Sequence, residues 1–177
     1  MQRIGISGTR WTGKSTTIRT IVKQNPQLTI ETFRLGSLVE ECPHATGEHQ
    51  TLEASRWVTE RLAEVLASPS TADIQVFDRT PLDVFAYTLL AQGGKKGRGR
   101  EIFDDLLDLV RRFDRIFFVR ASEQWPLGGP HSETEIEFAL KMDGLMDEAV
   151  RRFELDVFIL PWDPAERYDI ITTHIKH

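Results

Sequence analysis

Apolar and polar positions along the chain switch repeatedly between two periods. Arg3-Ile4-Gly5-Ile6 is a short apolar run that predicts a buried strand within residues 1–7, and from Lys14 to about Lys23 Ile18, Ile21 and Val22 recur at helical spacing. After the Asn25-Pro26 breaker, Leu28 to Phe33 alternates and predicts a second strand. Leu52, Trp57, Val58, Leu62, Val65 and Leu66 predict a helix from Gln50 to Ala67, and Ile74-Gln75-Val76-Phe77-Asp78 predicts a third strand closed by an acid. A helix is expected over 82–90, with Pro81 in its first turn, where a missing N–H costs nothing. Further helices are expected over 101–112, 133–153 and 164–175, with strands over 115–120 and 156–160. The long helix is expected to bury Ile136, Leu140, Leu145 and Val150. The basic glycine-rich stretch from Gly93 to Arg100 and the stretch Trp125 to Pro130 read as loops.

Strands alternating with helices imply βαβ units and a mostly parallel sheet covered on both faces, a three-layer α/β fold. No internal repeat and no long linker divides the sequence, so residues 1–177 are expected to form one domain.

Composition narrows the function classes. The 177 residues are 40% hydrophobic and 28% charged, which excludes a disordered or low-complexity chain. The net charge of -5 argues against a broad nucleic-acid surface, because an acidic chain repels the phosphate backbone. Cys42 is the sole cysteine, so no intramolecular disulfide can form and a reducing cytoplasm fits. Runs such as Ile116-Phe117-Phe118-Val119 fall far short of the ~20 apolar residues that span a bilayer. The N-terminal stretch lacks the apolar core of a signal peptide. A soluble cytoplasmic protein with no membrane partner is expected.

The chemistry is concentrated in Gly8-Thr9-Arg10-Trp11-Thr12-Gly13-Lys14-Ser15, which matches G-x-x-x-x-G-K-[ST] between a predicted strand and helix. Its glycines let successive N–H groups turn inward at the positive end of a helix, where a phosphate chain binds. Lys14 is then expected on the β- and γ-phosphates of ATP, Thr16 beside them at the helix start, and the Ser15 hydroxyl on Mg²⁺. Asp78, leaving the third strand at the carboxyl edge of the sheet, is the expected second group of the Mg²⁺ shell. The only asparagine is Asn25, followed by proline, so the Asn-Lys-x-Asp guanine signature of common GTPases is missing. Asp78 is followed by Arg79, which cannot act as a general base and instead suits an anion or the oxygens of a substrate. Asp83 reads either as a first-turn carboxylate favourable to the helix dipole or as a substrate contact.

These residues resemble the P-loop nucleoside and nucleotide kinases, and among them the small AAA-type ATPase/kinase group that includes the ribosylnicotinamide kinase domain of bacterial NAD regulators. Phe77-Asp78-Arg79-Thr80-Pro81-Leu82-Asp83-Val84-Phe85-Ala86-Tyr87 looks like the third-strand signature of that group, and Glu31-Thr32-Phe33-Arg34 like the Glu-aromatic-x-Arg segment ending its second strand. The resemblance implies a five-stranded sheet in the order 2-3-1-4-5. It also implies ATP- and Mg²⁺-dependent phosphoryl transfer to a small acceptor, such as a nucleoside, a nucleoside monophosphate or a ribosylated metabolite. Glu31 would orient or deprotonate the acceptor, with Arg34, Arg79 and Asp83 binding it. A lid over 121–135 is implied, yet that stretch carries no Arg or Lys, leaving His131, Arg120 or the Lys95-to-Arg100 loop to supply positive charge. Arg167 and Trp162 are placed where such kinases hold the adenine, and packing or surface roles are equally compatible. A homodimer, a slowly hydrolysing regulatory module, and a sugar, antibiotic or polynucleotide-end acceptor stay open.

Overall fold

Five parallel strands form one sheet in the computed structural model, which describes residues 1–93, 98–121 and 131–175. They are β1 (Gln2–Gly8), β2 (Ile30–Arg34), β3 (Ile74–Asp78), β4 (Arg115–Val119) and β5 (Phe158–Leu160), ordered β2-β3-β1-β4-β5. The helices are α1 (Lys14–Gln24), α2 (Leu35–Glu41), α3 (Leu52–Ala67), α4 (Pro81–Gln92), α5 (Arg100–Val110), α6 (Glu133–Arg152) and α7 (Pro164–His174). This is the α/β architecture that the sequence predicts, in the strand order that the resemblance implies. Among the described residues no helix is long and apolar enough to cross a membrane.

Alternation along the strands sorts side chains onto two cores. Ile4, Ile6, Ile74, Val76 and Phe117 face α1 and α7, where Ile18, Ile21 and Ile171 meet them. Phe77, Ile116 and Phe118 face the opposite layer, where Leu62, Phe85, Leu106 and Met146 close a larger core. Two features depart from the sequence reading. Helix α2 and a 3-10 turn at Gly47–His49 follow β2; α2 spans only seven residues and includes Gly36, too short for a helical period to stand out. In α6 the buried stripe is Ala139, Met142, Asp143, Met146 and Ala149, whereas Leu140 is half exposed at 49%. At the end of this stripe Ala139 faces inward, and its backbone carbonyl accepts from the hydroxyl of Thr9 at 2.8 Å.

The start of α4 is fastened to the centre of the sheet. Thr80 caps it through a capping box with Asp83, Pro81 opens it, and the Thr80 hydroxyl shares a 2.6 Å hydrogen bond with Ser7 of β1. Gly5 makes this approach feasible, since a Cβ there would collide with Thr80 Cγ2. Gly144, on the exposed face of α6, has open space where its Cβ would be. Gly5→Ala is therefore expected to destabilise the protein by about 1–3 kcal/mol through overpacking. Gly144→Ala should stabilise it by about 0.5–1 kcal/mol by lowering the entropy cost of helix formation. Urea unfolding midpoints check both, and a wild-type midpoint for Gly5→Ala would refute the close approach.

Candidate active site

The loop between β1 and α1 adopts the backbone its glycines permit. Gly8 stands at φ 146° against the carbonyl of Val119, where a side chain would collide, and Gly13 at φ 82° immediately precedes α1. Trp11, at φ 58°, also takes a left-handed conformation that L residues usually avoid. Its ring stacks on His131 with centroids 3.8 Å apart, and His131 Nε2 is buried without a hydrogen-bond partner among the described residues. Lys14 lies almost wholly buried inside the loop, its Nζ donating to the carbonyl of Thr9 at 2.7 Å. Burial, together with the positive charges of Arg79 and Arg167, pushes the Lys14 amine down to about 7, although Asp83 and Asp78 act in the opposite direction.

Ser15 Oγ donates to Asp78 Oδ2 at 2.7 Å. A hydroxyl and a carboxylate at the edge of a phosphate cradle form the oxygen set that Mg²⁺ shares with phosphate oxygens and water. Among the described residues no group of three or more His, Cys, Asp or Glu side chains can hold a metal alone, so these two residues fit a cation brought with a phosphate chain.

Beside this pair, Arg79 holds a left-handed φ of 76°, which turns its side chain back along α4. Its Nη1 donates to Asp83 Oδ1 at 2.8 Å, and the second oxygen of Asp83 accepts from the N–H of Thr80 at 3.0 Å. Asp83 is fully buried. Burial opposes the charge of Arg79, but Asp83, Tyr87 and Asp78 outweigh it and push the guanidinium above its usual value. This pair lines a cavity of about 300 Å³ together with Arg10 of the loop, Arg34 and Glu40, and an apolar side made by Leu35, Val39, Val58 and Val84. Arg34 and Glu40 form an exposed 3.0 Å ion pair. A more open groove on the α1 side, lined by Ser15, Arg19, Phe33 and Asp78, shares Arg34 with the cavity. The sequence reading missed Leu35, Val39 and Glu40 because α2 was not foreseen. Tyr87 was legible, four residues after Asp83 and hence on the same face of α4.

Three expected site residues are placed elsewhere by the structure. In the parallel register Glu31 pairs with Gln75 while Arg34 pairs with Asp78, so Glu31 lies three residues, about 10 Å, below the phosphate edge. Its carboxylate accepts from Gln75 Nε2 at 2.7 Å, and this bond and one to Ser70 hold it below the usual glutamate range. In this fold the Glu31 carboxylate is held at Gln75, away from the end of the strand where Arg34 and Asp78 lie. Arg120 is engaged by Asp147 at 3.0 Å and Asp143 at 3.6 Å on α6, which ties the end of β4 to that helix instead of offering a cation to the site. Arg167 is fully buried and is no exposed stacking plate. Its guanidinium donates to the carbonyls of Thr12, Pro161 and Trp162 at 2.5–2.7 Å, bracing the loop from behind. The arginine-free stretch 122–130 and the loop residues 94–97 lie outside the described residues.

A parallel sheet in this order, with a glycine-rich loop between its central strand and α1, defines a three-layer α/β fold of the P-loop type. The profile of the AAA domain family AAA_28 matches residues 3–167, and the chain belongs to that family. No curated protein matches the sequence. Among solved structures, deoxyadenosine kinase from M. mycoides with bound dATP is 18% identical over 98% of both chains, with a TM-score of 0.64. NadR protein in complex with NAD and AMP-PNP is 16% identical, with a TM-score of 0.68, over 98% of this chain and 48% of that one. NadR in complex with NR gives 15%, 0.69, 98% and 50%. The chain thus spans about half of NadR, and at these identities the likeness is one of fold.

The lowered Lys14 amine has a consequence with a definite sign. Above pH 7 the folded protein releases a proton from Lys14 that the unfolded chain keeps up to about 10.5. A triphosphate bound in the loop would restore the charge and recapture the proton. Binding of a triphosphate at pH 8.5 is expected to take up about one proton per site. Calorimetry in buffers of different ionisation enthalpy reads this uptake, which Lys14→Met should abolish. No uptake in the wild type would contradict the burial of the amine.

Proposed function

We propose that the chain transfers the terminal phosphoryl group of ATP to a small acceptor held in the cavity between α2, α3 and α4. The observation that carries this reading is the juxtaposition of that cavity with the phosphate loop: Arg10 belongs to both, and Arg79 and Asp83 follow directly on the Asp78–Ser15 pair. Its volume of about 300 Å³ suits a ligand of nucleoside size. Nucleosides, nucleoside monophosphates and related ribosylated metabolites are the acceptors that fit the neighbours, a deoxyadenosine kinase holding dATP and a NadR protein holding NAD or NR.

In this reading the amides from Gly8 to Gly13 and the Lys14 ammonium bind the phosphate chain and neutralise the charge that develops during transfer. Ser15 and Asp78 would hold Mg²⁺, which would supply positive charge to screen the phosphate oxygens. Arg79, fixed by Asp83, and Arg34 orient the acceptor. Arg167 keeps the loop in shape. Trp11 and His131 close its tip, in place of the arginines expected of a lid.

A second reading, a slowly hydrolysing ATP-binding module, is favoured by the engagement of Arg120 with two aspartates and by the lack of Arg or Lys over 121–135. ADP release from Mg²⁺-ATP, measured across a panel of nucleosides, nucleoside monophosphates and nicotinamide riboside, separates the two. At least one acceptor should accelerate release, and Lys14→Ala should lower that rate by about 10²-fold or more. Slow release that is the same with every acceptor and with none would overturn the transfer reading.

A further inference from the structure

We propose that the imidazole of His131 is a ligand for the terminal phosphate of ATP, donating from Nε2 to a phosphate oxygen, with Trp11 of the loop as the plate that holds the ring in place. The proposal rests on ATP binding in the loop, as read above, and adds a residue to that site.

Three observations meet at the loop tip. Trp11 keeps a left-handed φ of 58°, which an L residue holds only where its surroundings demand it. Its ring stacks on that of His131, with centroids 3.8 Å and planes 27° apart. His131 Nε2 is buried and makes no hydrogen bond among the described residues. A buried polar atom without a partner is unfavourable and rare in native proteins, and an acceptor brought by a ligand removes the penalty. Stacking occupies the face of an imidazole, whereas its nitrogens bond in the ring plane, so Trp11 fixes the ring and leaves Nε2 available to a ligand.

The frame sets this nitrogen beside the loop. His131 directly precedes α6, whose start is locked by the capping box of Ser132 and Glu135 and which is fastened to the loop by the hydrogen bond from Thr9 to the carbonyl of Ala139. The N–H and hydroxyl of Ser132 hold the Glu135 carboxylate below the usual glutamate range, and His131 and Arg10 act in the same direction, so both lie within electrostatic reach of Glu135. Arg10 in turn lines the cavity assigned to the acceptor. His131 thus stands on the side of the loop that leads towards the acceptor, where the phosphate to be transferred lies in the transfer reading. Gly13, at the other end of the loop, directly precedes α1, whose first amides suit a phosphate that ADP and ATP share. Within residues 121–135 His131 is the sole basic side chain. No bond forms or breaks at the ring: it adds one donor to a group on which negative charge builds.

Calorimetric titration of the full chain with the non-hydrolysable analogue AMP-PNP and with ADP, both with Mg²⁺, tests the assignment without turnover. His131→Phe keeps an aromatic ring for the stack and removes the nitrogens. It should weaken AMP-PNP by about tenfold and ADP by less than about twofold. His131→Gln, whose amide N–H can reach the position of Nε2, should recover part of the AMP-PNP affinity. Trp11→Ala should also weaken AMP-PNP, and should add little to the loss caused by His131→Phe. Equal losses for AMP-PNP and ADP in His131→Phe, no loss for either, or a Gln variant no better than Phe would overturn the proposal. Additive losses in the double variant would overturn the role given to Trp11. A loss confined to AMP-PNP, in a protein whose ADP release no acceptor accelerates, would uphold the proposal while the transfer reading falls. A wild-type chain that binds neither nucleotide would defeat both.

Discussion

An ammonium group buried against one backbone carbonyl and one hydroxyl, with two guanidiniums nearby, is the constraint on which the rest of the site depends. Lys14, Arg79 and Arg167 gather at the carboxyl edge of a sheet whose protein carries a net charge of -5, and the positive charges of Arg79 and Arg167 help push the Lys14 amine down. Burying a cation is costly unless it is paired, and here the pairing within the chain is incomplete. Asp83 answers Arg79 and three carbonyls answer Arg167, whereas Lys14 has the carbonyl of Thr9 and a longer contact with the Thr12 hydroxyl. A polyanion brought to the loop would complete the arrangement.

Holding such a site open requires a stiff frame, and several features that look separate serve it. Gly5 lets the cap of α4 rest on β1, which fixes where Asp83 and Arg79 stand relative to the loop. Thr9 is tied to α6 and Thr12 to Arg167, so both arms of the loop are held from outside. Left-handed backbone at Trp11 and Arg79 costs energy at two positions that flank the phosphate cradle, and it persists because the surrounding packing over-determines it.

Much of the frame was legible in the sequence because it rests on local signals. The loop motif, Pro81 and the run Ile74 to Asp78 each report a short-range requirement of backbone or burial, and β3 begins and ends where the pattern places it. What escaped depends on contacts distant in sequence. The register of β2 against β3 cannot be read from β2 alone, and a slip of three residues decides whether Glu31 or Arg34 reaches the phosphate edge. The inward face of α6 was misjudged because hydrophobicity favours Leu140, while the packed stripe runs one position earlier, through Ala139, Met142 and Met146. Arg167 looks like a surface or ligand-binding residue in sequence, since nothing local reveals that the carbonyl of Thr12, 155 residues away, requires a donor.

The central claim is that the buried Lys14 charge is kept for an anion at the expense of the unliganded fold. At pH 6 Lys14 is protonated in both folded and unfolded chains, so the full cost of its burial is present. The most direct measurement is the unfolding free energy of wild type and Lys14→Met at that pH, with and without tripolyphosphate. The account predicts that Lys14→Met is at least as stable as wild type without the anion and that tripolyphosphate stabilises only the wild type. A Lys14→Met protein that is less stable without the anion, or equally stabilised by it, would contradict the account.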